Sequence, residues 1–440
     1  MDTAALGRSE SIQEALRLGG SKDIYYYTSA TLMKQSIHTI VDNRFFQALT
    51  SLGAGSSTFI ISIDQGISDI ILGAKLPEQG DSSVDYTGLA LPRGWLYSLI
   101  SRVSVRYGSS SQFFWSGQQM LVENLREMPN PDTRDQLYAL GGALMRTVAG
   151  ADPFSGDNLF AYAYINLPHN SPNGGLMKPN PFPSELIGQP IVITLELNTL
   201  QNIFSSNNAL GDISGAPTAL KNAFFQVKQI HAKDAGELMQ MPGGRGSAYS
   251  FPTKAFYQNE VKIQVGSQNA VSATPTEYQL QLTGFRNGEV RSVIMWITRD
   301  GDTNPATNAA FVKNYDNFIL ARDVELLYNG TVYYRAPDIS SQMWALCSTK
   351  TPPQLECTVL SISGGSIVST SKKANWIEIP FSQVYEQLSG SHMYVAGKLI
   401  QNAVVNMQVT LPDTDRYTCH FTYSYNCAIM ISDRAAEYVF

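Results

Sequence analysis

Five histidines, His38, His169, His231, His392 and His420, are the side chains best suited to bind a metal or pass a proton near neutral pH. They are scattered, with no HxH, HExxH or HxxE spacing that would bring two of them, or one and a carboxylate, onto a single face. Four cysteines, Cys347, Cys357, Cys419 and Cys427, contain no CxxC pair. Cys419 and Cys427 share one face of a strand-like segment but stand about 26 Å apart along an extended chain, too far to bridge. Buried free thiols are the expectation.

Hydrolytic chemistry finds equally little support. GxSxG, the strained turn that presents a nucleophilic serine, does not occur. Asp64 and Asp69 flank a predicted turn and could act as a paired acid and base in a glycosidase, although turn carboxylates are usually solvated. Gly243-Gly244-Arg245-Gly246-Ser247 has the glycines of a phosphate cradle without the GK[ST] ending, which suits a linker better. Asn329-Gly330-Thr331 is formally a glycosylation acceptor, but it falls where a hairpin turn requires positive φ. Tyr25-Tyr26-Tyr27, Phe113-Phe114-Trp115 and Tyr333-Tyr334 could stack on sugars or pack against neighbouring strands. No catalytic residue, cofactor-binding residue or metal ligand is assigned.

The elements that would carry such residues repeat. Tyr97, Leu99, Val103, Val105 and Tyr107 alternate with polar residues, and 221 positions later Phe318, Leu320, Val324, Leu326 and Tyr328 do the same. The pattern predicts a strand with one buried face in each half. A turn follows each, through 108–110 or Asn329-Gly330, and then an aromatic segment, which is a hairpin signal. Ile70-Ile71-Leu72 matches Val293-Ile294-Met295 upstream, and the alternation over 191–197 matches that over 405–411 downstream. An ordered set of matches at half-length spacing predicts two copies of one β module.

Composition agrees. In 440 residues, 22 Tyr and 19 Phe against only 15% charged residues favour pleated sheet over solvated helix faces. Low charge also predicts surface that meets protein. A net charge of −6 gives no global attraction to nucleic acid, and no sequence-specific nucleic-acid binding is expected. No apolar run approaches the ~20 residues needed to span a bilayer, and residues 1–23 lack the features of a signal peptide.

Along the chain, 1–30 reads as an arm with one short amphipathic helix behind Ser11, in which Ile12 and Leu16 form a stripe suited to a membrane, a neighbouring subunit or its own domain. The first β module spans 31–232, with helical spacing over 117–128 and 133–145 and a projecting loop over 167–183. A linker is predicted over 233–252 and the second module over 253–440, with loops at 300–309, 348–355 and 361–373.

The block Leu91-Pro92-Arg93-Gly94-Trp95-Leu96-Tyr97-Ser98-Leu99-Ile100-Ser101-Arg102-Val103-Ser104-Val105, followed by Phe113-Phe114-Trp115 and a helix, resembles the first roll of the double jelly-roll major capsid proteins of icosahedral double-stranded DNA viruses. The passage from Ala161-Tyr162-Ala163-Tyr164-Ile165 to Pro190-Ile191-Val192-Ile193-Thr194-Leu195 is similar too. So is Asn287-Gly288-Glu289-Val290-Arg291-Ser292-Val293-Ile294-Met295-Trp296 with 322–330, set against the second-roll strands of large nucleocytoplasmic viruses, polinton-like elements and virophages. The resemblance implies a mostly β fold of two tandem eight-stranded jelly-roll sandwiches with short helical excursions and projecting loops. It further implies a homotrimeric, pseudo-hexameric capsomer that tiles an icosahedral shell, located in the virion, without enzymatic activity or cofactor. Implied partners are other copies of the chain, penton and minor capsid proteins, and an inner membrane reached through the arm. The alternatives are a glycan-binding or glycan-hydrolysing double sandwich, or a minor capsid component.

Overall fold

The computed structural model describes residues 40–47, 57–63, 66–110, 113–127, 131–146, 154–167, 182, 187–208, 212–231, 249–263, 276–282, 289–299, 321–336, 355–363, 366–374, 377–380, 398–399, 403–409, 417–432 and 434–439. The arm at 1–30, the loops over 168–181 and 300–309, and the glycine cluster at 243–247 lie outside them.

Alternating apolar residues in the first half form β1 (Ile40–Gln47), β2 (Ser57–Ile63), β3 (Gly66–Lys75), β4 (Ile100–Tyr107), β5 (Phe113–Trp115), β6 (Phe160–Ile165), β7 (Ile191–Leu197) and β8 (Asn222–His231). In the second half they form β9 (Tyr249–Ile263), β10 (Thr276–Leu282), β11 (Glu289–Arg299), β12 (Ala321–Tyr328), β13 (Thr331–Ala336), β14 (Ile377–Pro380), β15 (Ala403–Val409) and β16 (Tyr417–Ser432), followed by a short β17 (Ala435–Val439). The first set pairs as two antiparallel sheets, β1-β8-β3-β6 and β2-β7-β4-β5. The second pairs as β9-β16-β11-β14, to which β17 beside β16 and Lys398–Leu399 beside β11 are added, and as β10-β15-β12-β13, so each strand of the first half's two sheets has its counterpart eight strands on. This order, with the first of eight strands paired to the eighth and the eight divided four and four between two sheets, is the jelly roll.

Burial follows the pleat. In β7, Ile191, Ile193, Leu195 and Leu197 are buried while the residues between them are half-buried, and Ala403, Val405 and Met407 repeat this in β15. The matches that fall on described strands, 103–107 with 324–328, 70–72 with 293–295 and 191–195 with 405–409, lie on equivalent strands, with one slip, while Phe318, Leu320 and Leu411 lie outside the described residues. Val105 faces Ile193 in the first roll and its counterpart Leu326 faces Val405 in the second, so the β7 and β15 alignment shifts by two residues from that predicted.

Three local predictions give way to tertiary contacts. The strand predicted from Tyr97 begins only at Ile100, because Trp95–Leu99 forms a short helix, α1. Gly94 precedes it in the left-handed region (φ 72), and the N–H of Leu96 donates to Gly141 O at 3.0 Å, so the turn is held between two glycine segments. Trp95, Leu96, Tyr97 and Leu99 are all buried, each such side chain stabilising by roughly 1.5–3 kcal/mol. The linker predicted to Pro252 ends earlier, since β9 already starts at Tyr249 and pairs with β16 along its whole length. Pro252 is tolerated because β9 is an end strand of its sheet, where a missing N–H breaks no second ladder. The loop predicted over 361–373 is mostly the hairpin Leu355–Ser363 and Ser366–Ala374, in which β-branched runs flank Gly364-Gly365.

Two further helices, α2 (Gly117–Glu127) and α3 (Pro131–Leu140), lie between β5 and β6. The second starts two residues before the predicted span and stops at Leu140, because proline suits the first helical position and Gly142 (φ 127) cannot continue the helix. These helices close an open sheet end. Asn124 Nδ2 of α2 donates to Tyr164 O of β6 at 2.9 Å and to the Tyr97 hydroxyl at 3.1 Å, and the N–H of Tyr164 donates to the same hydroxyl at 3.1 Å. Burial raises the Tyr97 pKa, so the group stays a neutral phenol that serves the strand end. Arg93 fixes α3 by donating from Nη1 to Asp135 Oδ1 at 2.6 Å and from Nη2 to Asp135 O at 2.8 Å, with its guanidinium 4.8 Å from the Tyr138 ring centre.

Replacing Tyr97 by Phe is expected to cost about 1–3 kcal/mol in urea denaturation, since it strands a buried N–H while barely altering volume. Arg93 lowers the Asp135 pKa through its hydrogen bond, so the stabilisation is present above the unfolded carboxylate value near 3.9 and disappears as pH falls through the lower folded value. Asp135→Asn is therefore expected to lose stability at pH 7, by no more than ~1 kcal/mol for so exposed a pair, and to match the parent near pH 2.

Candidate functional site

Among the described residues, no three or more His, Cys, Asp or Glu side chains gather as metal ligands. His420, on β16, is buried against Trp296, with the ring planes 14° apart, and its Nε2 lies 2.8 Å from Thr298 Oγ1. His231 ends β8, and His38, His169 and His392 lie outside the described residues. Cys419 is a buried free thiol whose pKa burial pushes up, which keeps it inert. Asp69 lies within β3, while Asp64 lies outside the described residues. Of the aromatic clusters, Phe113 and Trp115 are buried and only Phe114 is exposed, with the Arg102 guanidinium 4.6 Å from its ring centre. Two of its three rings are core, so that cluster is no sugar platform. Asn329 (φ 50) and Gly330 (φ 77) form the two-residue turn between β12 and β13, the geometry predicted for them.

Charges are paired with each other. Lys221 Nζ lies 2.9 Å from Asp81 Oδ2 and 3.6 Å from Glu78 Oε1, and Lys75 Nζ donates to Glu78 Oε1 at 3.2 Å. The hydrogen bond from Lys75 lowers the Glu78 pKa, and that from Lys221 lowers the Asp81 pKa. Hydrogen bonds from Thr87 and Gln79 lower that of Asp85. A general acid at neutral pH requires the opposite shift.

What the molecule does present is contact surface. Exposed large apolar side chains among the described residues are Phe114, Leu140, Phe160, Tyr162 and Val332. Leu140, Phe160 and Tyr162 line an open groove of about 780 Å³ with Ala139, Ala143 and Asp157, where the end of α3 meets β6. Phe114 and Val332 instead sit on β5 and β13, equivalent end strands of the two rolls. No sequence signal marks them as exposed, because periodicity assigns apolar residues to the core.

Among the described residues, the rolls meet along β5 and β9 and again at a hairpin of the second roll. β5 lies beside β9 without sharing a ladder, and the N–H of Gly188 donates to Arg434 O at 2.8 Å. At the turn after β4, Gly108 (φ 57) lies beside Ala436 of the second roll, and a Cβ there would approach Ile187 Cγ2 of its own roll to 2.6 Å, so that turn carries glycine. Elsewhere, Arg146 Nη1 donates to Ile367 O at 3.2 Å, and Ile367 packs with Ala90 and half-buried Leu144. The hairpin of the second roll thereby covers a small sheet of the first, made by Leu89–Leu91, Met145–Arg146 and Ser205–Ser206. One hydrophobic core contains buried residues from both rolls.

No protein family profile and no curated protein sequence matches the chain. Solved structures do. The chain is similar to Vp54 of the virus PBCV-1, whose crystal structure was fitted into a reconstruction of the virophage Sputnik, with a TM-score of 0.59 and 11% identity over 92% of this chain and 96% of that one. It is similar to the mavirus major capsid protein, with a TM-score of 0.51 and 10% identity over 93% and 91% of the two chains. Similarity to the Faustovirus major capsid protein gives a TM-score of 0.50 and 10% identity over 90% and 91%. At such low identity the likeness resides in strand order and connectivity, and the chain has the double jelly-roll fold of viral major capsid proteins.

Proposed function

We propose that the chain is a major capsid subunit that self-assembles as a trimeric, pseudo-hexameric capsomer and tiles an icosahedral shell around a double-stranded DNA genome. The observation that carries this reading is the same eight-strand order occurring twice, joined side by side. Three such chains supply six similar walls, so one protein can meet six neighbours in a facet. Only 15% of residues are charged, which suits walls that face protein. The role is structural: no reaction and no cofactor enter it, and the chain acts in the virion. Neighbouring trimers, pentons and minor capsid proteins are the partners, and an inner membrane is contacted through the segment 1–30.

Size-exclusion chromatography with light scattering tests the proposal. The expected mass is three times 48.3 kDa, with hexagonal outlines in negative stain. A monomer at every concentration overturns the reading.

A further inference from the structure

The open groove where the end of α3 meets β6 has an aromatic floor that is braced from behind. Phe160 and Tyr162 stand on one side of β6, 36% and 38% exposed, while Ala161 and Ala163 on its other side are buried. Each ring is held from across the neighbouring strand. Phe160 pairs with Lys75, whose Nζ lies 4.9 Å from the ring centre, and Tyr162 pairs with Gly73, which pairs in turn with Phe224. A Cβ at Gly73 would strike the Phe224 ring, so glycine there lets that ring cross β3 and meet Tyr162 edge-on, with centroids 6.3 Å apart and planes at 66°.

Polar groups surround these rings. Asp157, Asn158 and Gln136 line the groove, and Leu140, 53% exposed, forms an apolar wall. Among the described lining residues there is one carboxylate and no Lys or Arg, and the nearby Lys75 is engaged by Glu78 and by the Phe160 ring. A concavity of exposed apolar surface with a few polar groups is the usual form of a ligand site. The edge of β6 does not suit a peptide strand, because the N–H of Phe160 donates to Asp157 O, the N–H of Tyr164 donates to the Tyr97 hydroxyl, and Tyr164 O accepts from Asn124. With both ends capped, no run of edge is left for a peptide to extend. A sugar ring fits the same surface, since its C–H face covers an aromatic ring while its hydroxyls donate to a carboxylate and exchange hydrogen bonds with amides.

We propose that this groove binds a neutral oligosaccharide. Phe160 and Tyr162, two residues apart on one strand and so roughly 6.6 Å apart, stack on sugar rings of the same glycan, and Asp157, Asn158 and Gln136 bond to its hydroxyls. The lone carboxylate disfavours sialylated or sulfated glycans, whose charge it repels. Because both rings are braced before the ligand arrives, little side-chain freedom is lost on binding. This binding activity is additional to the assembly reading and independent of it.

An array of neutral hexose and N-acetylhexosamine oligosaccharides, printed with sialylated and sulfated counterparts, is probed with the full chain, and the members that bind are titrated in solution. Neutral members are expected to bind, and Tyr162→Ala to weaken that binding about tenfold or more, with an unchanged near-ultraviolet circular dichroism spectrum. Tyr162→Phe, which keeps the ring, is expected to bind within about twofold of the parent, and Asp157→Ala, on an exposed turn, to weaken binding about threefold or more. Neutral members that fail to bind, binding confined to charged members, or binding unchanged in both Tyr162→Ala and Asp157→Ala overturns the proposal. An oligomer that Leu140→Asp dissociates while the array stays blank also overturns it, because the groove is then a contact between copies, and that result leaves the assembly reading standing. A monomer that binds neutral glycans through Tyr162 supports the proposal and overturns the assembly reading alone.

Discussion

An open β-sheet has two end strands, and each presents N–H and C=O groups that must find partners or water. Four sheets of this kind build the two rolls, with a three-stranded sheet and a hairpin beside them, and they make the satisfaction of strand ends the constraint around which the molecule is built. At β6 the solution is internal: Tyr97 and Asn124 take over the outward groups of Tyr164, and α1 and α2 exist to hold them there. At β9 it is the neighbouring roll, which lies close enough to shield the strand without joining its ladder.

The same constraint explains the distribution of glycine and charge. Gly108 and Gly188 stand where the two rolls come together: a Cβ at Gly108, whose φ is 57, would strike Ile187 of its own roll, and one at Gly188 would stand 3.2 Å from Arg434 Cβ of the second. The ionic network of Lys75, Glu78, Asp81 and Lys221 stitches the segment after β3 to the start of β8, in water, where pairing contributes little energy but favours one arrangement of the two segments. This ionic network lies on the surface, and packing together with the Gly188–Arg434 and Arg146–Ile367 hydrogen bonds holds the rolls to each other.

Much of this was legible in the residues. Period-two alternation locates β4, β7, β12 and β15, and Asn329-Gly330 announces its turn, because both signals come from local backbone geometry. Alternation fails at Tyr97 and Leu99, since a helix buried on every side shows the same apolar letters as a strand. It also misses the hairpin at 355–374, whose polar, β-branched residues resemble a loop. Contact surfaces were the least legible part. Val332 and Phe113 are equally apolar in sequence and lie on equivalent end strands, but Phe113 pairs with buried Val105 on the core face while Val332 pairs with half-buried Leu327 on the other, a difference that only the register shows.

Pairing of the first strand with the last in each roll has a consequence for synthesis on the ribosome. β1 has no neighbour in its sheet until β8, residues 222–231, has been made, and β9 waits in the same way for β16 at 417–432. The first roll can therefore finish folding while the second is still being translated, with its β5 side uncovered until β9 emerges. Because β9 gains its own sheet only after residues 417–432 are made, the finished first roll carries that open side through most of the synthesis of the second.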